Sequence, residues 1–265
     1  MKQNYDFDIE KIKNLSQEEK VSRKKNLDLF YEYGFPSKQI EDWKFTDLNL
    51  ILNKNFDSIS NEANLESTKE LEIIKNFKHN YIFLTNGKII STSFVYEEKN
   101  KILIKDFDQK EAANFYLANT LTLLNSALSS GGFSLEISKN YKLNKPLVIY
   151  NYFSKGLKNK ILNNKNSIKL HKGAELILID YNAGELQNNF IKNTVDTVSL
   201  DESAILKSIL IQNSKSNGHF YKYIRSSLES SSNYENYILS SGLKFNKIEI
   251  EVNLNKDNSS CGIYS

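Results

Sequence analysis

One cysteine, one tryptophan, one methionine and two prolines are all that 265 residues contain of those types. With Cys261 alone, an internal disulfide and any metal cage built from several thiolates are excluded, so no cofactor or metal site is expected. Arginine is almost as scarce, Arg23 and Arg225 being the only two, and lysine carries the rest of the positive charge. A net charge of +3 spread over scattered lysines argues against a nucleic-acid binder, which grips phosphates and bases with bidentate arginine on a concentrated basic face. No apolar run approaches the roughly 20 residues a spanning helix needs, and the opening MKQNYDFDIEKIK lacks the apolar core of a secretion signal. A soluble, cytoplasmic protein is expected.

What is present is ordinary for a globular chain, with 40% hydrophobic and 25% charged residues, and the length suffices for a sizeable core. Ser16-Gln-Glu-Glu19 has the spacing of a capping box, in which the serine hydroxyl and the glutamate carboxylate each satisfy an orphaned backbone N–H. It predicts a helix with Val21, Leu27, Phe30 and Tyr31 on its apolar side, stopped by Gly34 and Pro36. The next stretch, GFPSKQIEDWKFTDL, holds the only tryptophan between acidic and basic neighbours. It reads as a clamp, with Pro36 fixing the helix exit and Trp43 and Phe45 folding back to attach the helical arm.

Residues 53–80 read as a polar linker with a short helix at Ser67 to Phe77, and NYIFLTNGKIIS as a hairpin turning at Asn86-Gly87. KILIKDF is a second hairpin-sized pattern. From Gln109 to Ser129 the spacing of Ala113, Tyr116, Leu117, Leu121, Leu124 and Leu128 is helical, with Gly131-Gly132 as its left-handed cap.

After Gly132 the texture changes to β-branched and aromatic residues alternating with Ser, Asn and Lys. Four segments share one layout of strand, polar tetrad and strand: SIKL-HKGA-ELILI, TVSL-DESA-ILKSI, RSSL-ESSS-NYENY and EVNL-NKDN-SSCGI. A leucine precedes each tetrad, at Leu170, Leu200, Leu228 and Leu254, roughly 26 to 30 residues apart. Five positions beyond each tetrad stand Ile179, Ile209, Tyr237 and Ile263, read as a second buried column. Such a period predicts a stacked β-solenoid from about residue 131 to 265, following a mixed helical region over 1–130. Its last coil, at the end of the sequence, is expected to be covered by a partner or a further segment.

Individual reactive residues carry little. His79, His171 and His219 lack the i, i+4 pairing of a helical metal site; His171 opens a polar tetrad and is expected in an exposed turn, and His219 on an exposed strand face. Cys261, placed by the repeat in the column of Ile177, Lys207 and Glu235, is read as structural rather than as an acceptor of sulfur. Glu41 and Asp42 point apart and read as surface. Ser129 to Gly132 ends a helix and so is no phosphate loop, and no G-x-x-x-x-G-K-[ST] occurs. No catalytic residue is assigned.

In order along the chain, GFPSKQIEDWKFTDL, LNSALSSGGFSLEI, NKPLVIYNY and the ending EIEVNLNKDNSSCGIYS resemble stretches of the SufB/SufD family of iron-sulfur cluster assembly proteins, and most closely its SufD branch. The resemblance implies a mainly β fold, a right-handed parallel β-helix core behind an N-terminal α/β region. It also implies a non-enzymatic scaffold subunit of the SufBCD complex, pairing with SufB through the β-helix and served by the SufC ATPase. Further coils and a C-terminal helical domain that docks SufC, both found in the family, are not present here, so a C-terminally truncated member is expected. Two other readings compete. A carbohydrate-active β-solenoid enzyme would need clustered carboxylates along a groove, whereas the tetrads are mostly Ser, Asn, Lys and Gly; an adhesive solenoid would need a secretion signal.

Overall fold

Period-two alternation in the second half of the chain resolves, in a computed structural model describing residues 4–61, 73–108, 118–183, 186–213 and 215–265, into two stacked parallel sheets. The N-terminal elements are β1 (Asn4–Asp6), α1 (Gln17–Tyr33), α2 (Leu48–Asn55) and β2 (Ser58–Ser60). There follow β3 (Asn80–Thr85), β4 (Lys88–Ser93), β5 (Ile102–Asp106) and α3 (Thr120–Leu128). The repeat region supplies β6 (Phe133–Ile137), β7 (Leu147–Tyr152), β8 (Ile161–Leu170), β9 (Glu175–Ala183) and β10 (Leu186–Leu200). It continues through β11 (Ile205–Gln212), β12 (Ser216–Leu228), β13 (Asn233–Ser240), β14 (Phe245–Leu254) and β15 (Ser260–Tyr264). Even-numbered strands from β6 onward form one sheet with β5 at its edge, and odd-numbered strands from β7 form the other with β3 and β4. Each consecutive pair is one coil, and the solenoid makes about four turns. Both sheets therefore reach back before residue 131, through β3, β4 and β5.

The leucine column is real. Leu170, Leu200, Leu228 and Leu254 are direct partners across neighbouring parallel strands, and the first three are fully buried between the sheets. The second column behaves differently. Ile179, Ile209 and Tyr237 are in register, but they lie on the outer face of the seven-stranded sheet, and the residue that continues them is Tyr264 rather than Ile263. The cause is the last turn, which holds five residues, Asn255 to Ser259, where the turns before β9, β11 and β13 hold four. That extra residue slips β15 by one and exchanges its two faces. Tyr264 then stacks on Tyr237 at 4.7 Å.

The first half follows the expectations with specific departures. The capping box forms, Ser16 Oγ accepting from the Glu19 N–H at 3.2 Å while Glu19 accepts from the Ser16 N–H at 2.7 Å. Helix α1 stops at Gly34, whose φ of 71° suits glycine. Its buried stripe is Arg23, Leu27 and Phe30, spaced i, i+4, i+7, so Val21 and Tyr31 fall off it and are exposed. The Asn86-Gly87 hairpin joins β3 to β4 with positive φ at both turn residues. KILIKDF gives β5, which pairs antiparallel with β6 instead of closing a hairpin of its own. The expected helix at Ser67 to Phe77 and the first half of the one from Gln109, with Ala113, Tyr116 and Leu117, lie outside the described residues.

Helix α3 ends without a glycine cap: Ser129 is extended at φ −60° and ψ 129° and its N–H bonds to the Asn125 carbonyl. Gly132 serves a close backbone crossing instead. A Cβ there would stand 1.6 Å from the Lys165 carbonyl oxygen, and its N–H donates to the Gly87 carbonyl at 2.7 Å. This crossing seats α3 on the outer face of β8 and β10. Asn125 donates from one amide to the carbonyls of Asn164 and Asn193, and Lys165 donates to Ser126 Oγ. Around these polar anchors, Leu121, Leu124 and Leu128 join Ile161, Ile191 and Val195 in one apolar cluster.

Trp43 completes that cluster and is 2% exposed, its ring near Tyr221 and Phe245 at 6.0 and 6.2 Å and under Lys247 Nζ at 4.7 Å. Lys247 also donates to the Asp42 carbonyl at 2.7 Å, so the clamp is tied to β12 and β14. Phe45, expected to share the anchoring, is 91% exposed. The short 3-10 turn Glu41–Trp43 aims Trp43 inward and leaves Phe45 outside. Trp43→Ala is expected to destabilise the protein by about 3–5 kcal/mol, the usual cost of emptying a large aromatic site, and Phe45→Ala by less than about 0.5 kcal/mol. Urea unfolding followed by circular dichroism reads both.

Candidate functional site

Inside a solenoid, every second residue of each strand faces the interior, and over much of the stack those positions are Leu, Ile, Val and Phe. Toward one side the interior turns polar. In β10 the inward residues run Lys192, Thr194, Asp196, Val198, Leu200, and in β12 Phe220, Lys222, Ile224. Opposite them β9 contributes Asp180 and Asn182, and β7 contributes Asn151.

Lys222 bridges the two carboxylates, at 2.6 Å from Asp180 and 2.7 Å from Asp196. Asn151 donates to the second oxygen of Asp180, and Asn166 to that of Asp196. Lys192 donates to Asn182 Oδ1 at 3.0 Å and lies over the rings of Phe153 and Phe220 at 5.2 and 5.4 Å. The groups border a cavity of about 30 Å³, above the ~10–15 Å³ that a water molecule needs. Asn164 Oδ1, Thr194 Oγ1 and Asn236 Nδ2, all buried without a protein partner, belong to residues on its wall.

Burial opposes ionisation of Asp180, Lys222 and Lys192, and the pairing decides which way each shifts. Burial would raise the Asp180 carboxyl, but Lys222 and Lys192 outweigh it and hold it below the usual carboxylate range. Burial would likewise lower Lys222, and the two carboxylates reverse this and raise it. For Lys192 burial wins, and its ammonium is pulled down to about 8. The cluster thus contains one locked cation between two anions and one lysine able to release its proton near neutrality.

The residues singled out by the sequence are not brought together. Cys261 lies beside Tyr234 in the inward column of Leu176 and Leu206, not in that of Ile177, Lys207 and Glu235, because β15 is slipped by one. It packs half-buried against the interior core, and burial pushes its thiol up, away from the reactive thiolate. His171 does sit in its turn, half-buried between Glu136 at 3.2 Å and Asp201 at 3.3 Å. His219 is the clear miss: it is 1% exposed, beneath the Phe56 ring at 5.1 Å, since the N-terminal region covers the strand face that looked open. His79 joins the Phe77 carbonyl to the Tyr150 hydroxyl, at 2.6 and 2.8 Å. Glu41 and Asp42 are exposed, as expected. Among the described residues no group of three or more His, Cys, Asp or Glu side chains lies together as a metal site would require.

Two outcomes are expected from these environments. Lys222→Met leaves two carboxylates buried without their cation and should cost about 3–5 kcal/mol in urea unfolding at pH 7; the triple variant Lys222→Met, Asp180→Leu, Asp196→Leu should recover most of it. Burial lowers the His219 pKa, with the backbone of Phe190 and Asn217 offsetting this only in part. The unfolded chain therefore binds the proton first as pH falls below ~6.5, and stability drops over that range. His219→Phe should flatten this acid-side slope in melting curves taken from pH 7 to 5.

Two family models together match nearly the whole chain. Residues 5–149 match the SufBD protein N-terminal region, and residues 152–265 match the SufBD core domain of the SUF system of FeS cluster assembly. No individually curated protein matches significantly. The first match covers the arm, its Trp43 clamp, α3 and the opening strands, and the second covers the charged interior and the coils around it. The chain therefore belongs to the SufB/SufD family of iron-sulfur cluster assembly proteins.

Proposed function

We propose that this chain is a SufD-like, non-catalytic scaffold subunit that pairs with SufB and is served by the SufC ATPase. A role in iron-sulfur cluster assembly follows from the family; the placement on the SufD side rests on the chemistry of the interior. Building a cluster requires exposed thiolates, and the thiol available here, Cys261, is held protonated by burial against the core. The charged cluster is likewise self-contained, its two carboxylates bridged by Lys222 with Lys192 close by. These features support a rigid partner surface more than a cluster-bearing one, and they leave SufC docking as part of the proposal. No helix among the described residues is long and apolar enough to cross a membrane, and work in the cytoplasm belongs to the same reading. The carbohydrate-active alternative is not favoured: Asp180 and Asp196 face the solenoid interior, where no polysaccharide reaches.

The test is co-expression of the tagged chain with SufB and SufC of the same source. A stoichiometric complex that transfers clusters to an apo-ferredoxin, unaffected by Cys261→Ser, is the expected result. A chain recovered alone, or loss of transfer on that substitution with the complex intact, would overturn the scaffold assignment.

A further inference from the structure

We propose that the outer face of the seven-stranded sheet docks one amphipathic helix of a partner chain. The inference goes beyond the scaffold reading and does not depend on which branch of the family the chain joins.

Two adjoining outward columns carry it. Ile179, Ile209 and Tyr237 are in register across β9, β11 and β13, and Tyr181, Ile211 and Leu239 are in register two residues further along the same strands. All six are aliphatic or aromatic, and none is buried, Leu239 being 61% exposed. Over β11 and β13 one flank carries the Lys207–Glu235 ion pair at 3.2 Å, continued on β9 by the exposed Ile177, and the other the exposed Asn213 and Ser241. An uncharged strip with a polar rim is the composition of an interface.

The molecule itself shows how such a face is covered. Over the first coil the same columns continue as Val148 and Tyr150, both buried, and there the chain supplies the cover: the Ile74 N–H donates to the Tyr150 hydroxyl at 3.0 Å and His79 Nε2 meets the same hydroxyl at 2.8 Å. On the six-stranded sheet the cover is a helix, α3, packed along the outer faces of β8 and β10.

Size selects the occupant. At ~4.8 Å between strands, the column that Tyr264 continues spans about 14 Å from β9 to β15, the second about 10 Å from β9 to β13, and the two are about 7 Å apart. A helix of about 10 residues is ~15 Å long and presents one apolar stripe of that width. A second copy of this chain would need roughly 800 Å² per partner, well beyond a strip of this size. The partner helix should carry apolar residues at i, i+3 or i+4, and i+7.

A photo-crosslinking benzoylphenylalanine placed at Ile209 or Leu239, with Glu202 in an exposed turn as control, tests this in the assembled complex and in cells of the source. Adducts from the two sheet positions, and not from the control, to a peptide of another chain with that helical periodicity are expected. Ile209→Lys combined with Leu239→Lys should then reduce recovery of that partner about tenfold or more without changing the melting temperature. Adducts only to a second copy, only within the same chain, only to a peptide without that periodicity, or none at all, would overturn it. Irradiation in cells reads the face even where SufB and SufC fail to co-purify, so the two proposals fail separately.

Discussion

A parallel coil can bury its inward side chains only against the coils directly above and below it, so Leu170, Leu200, Leu228 and Leu254 must fall in one column. Everything else in the molecule is arranged around that alignment. The turns before β9, β11 and β13 all hold four residues, so these strands start in phase. The outer face of the six-stranded sheet becomes a regular surface on which α3 and the Trp43 clamp sit. Where one turn gains a residue, before β15, the phase slips and Cys261 moves from an outward to an inward position.

The charged interior works within the same constraint. Well-packed apolar residues would fill that volume at no loss of stability, so Lys222 and its two carboxylates are not explained by stabilisation. Their effect is on register. A slip of one residue in β12 would swing Lys222 to the outer face and leave Asp180 and Asp196 without the cation that bridges them. Apolar columns tolerate exchange of one aliphatic for another, whereas this arrangement has one satisfied alignment.

Much of this was legible from residue order alone. The leucine spacing gave the coils, Ser16 and Glu19 the start of α1, and Asn86-Gly87 the hairpin, because each rests on local geometry that few alternatives satisfy. Extending the parity of Leu200 and Leu228 back along their strands also places Asp196, Lys192 and Lys222 inside, a signal present in the residue order. Other features depend on tertiary partners that no local pattern encodes. His219 looked exposed because its cover, Phe56, lies far away in the chain. Trp43 and Phe45 are two residues apart and meet opposite fates because a 3-10 turn, not a strand or helix, sets their directions. Gly132 looked like a helix cap because the Lys165 backbone that crosses it belongs to a later strand.

In both sheets the parallel order is broken on the same side of the first coil. There β3 pairs antiparallel with β4, and β6 antiparallel with β5. The β3–β4 hairpin closes through a two-residue turn, so its loop-closure cost is small and it can form before any long-range pairing. It then offers the free side of β3 as a template for β7, after which every coil needs only its predecessor. The stack consequently has a polarity, with a seeding end and a growing end, and the growing direction is that in which a ribosome delivers the chain.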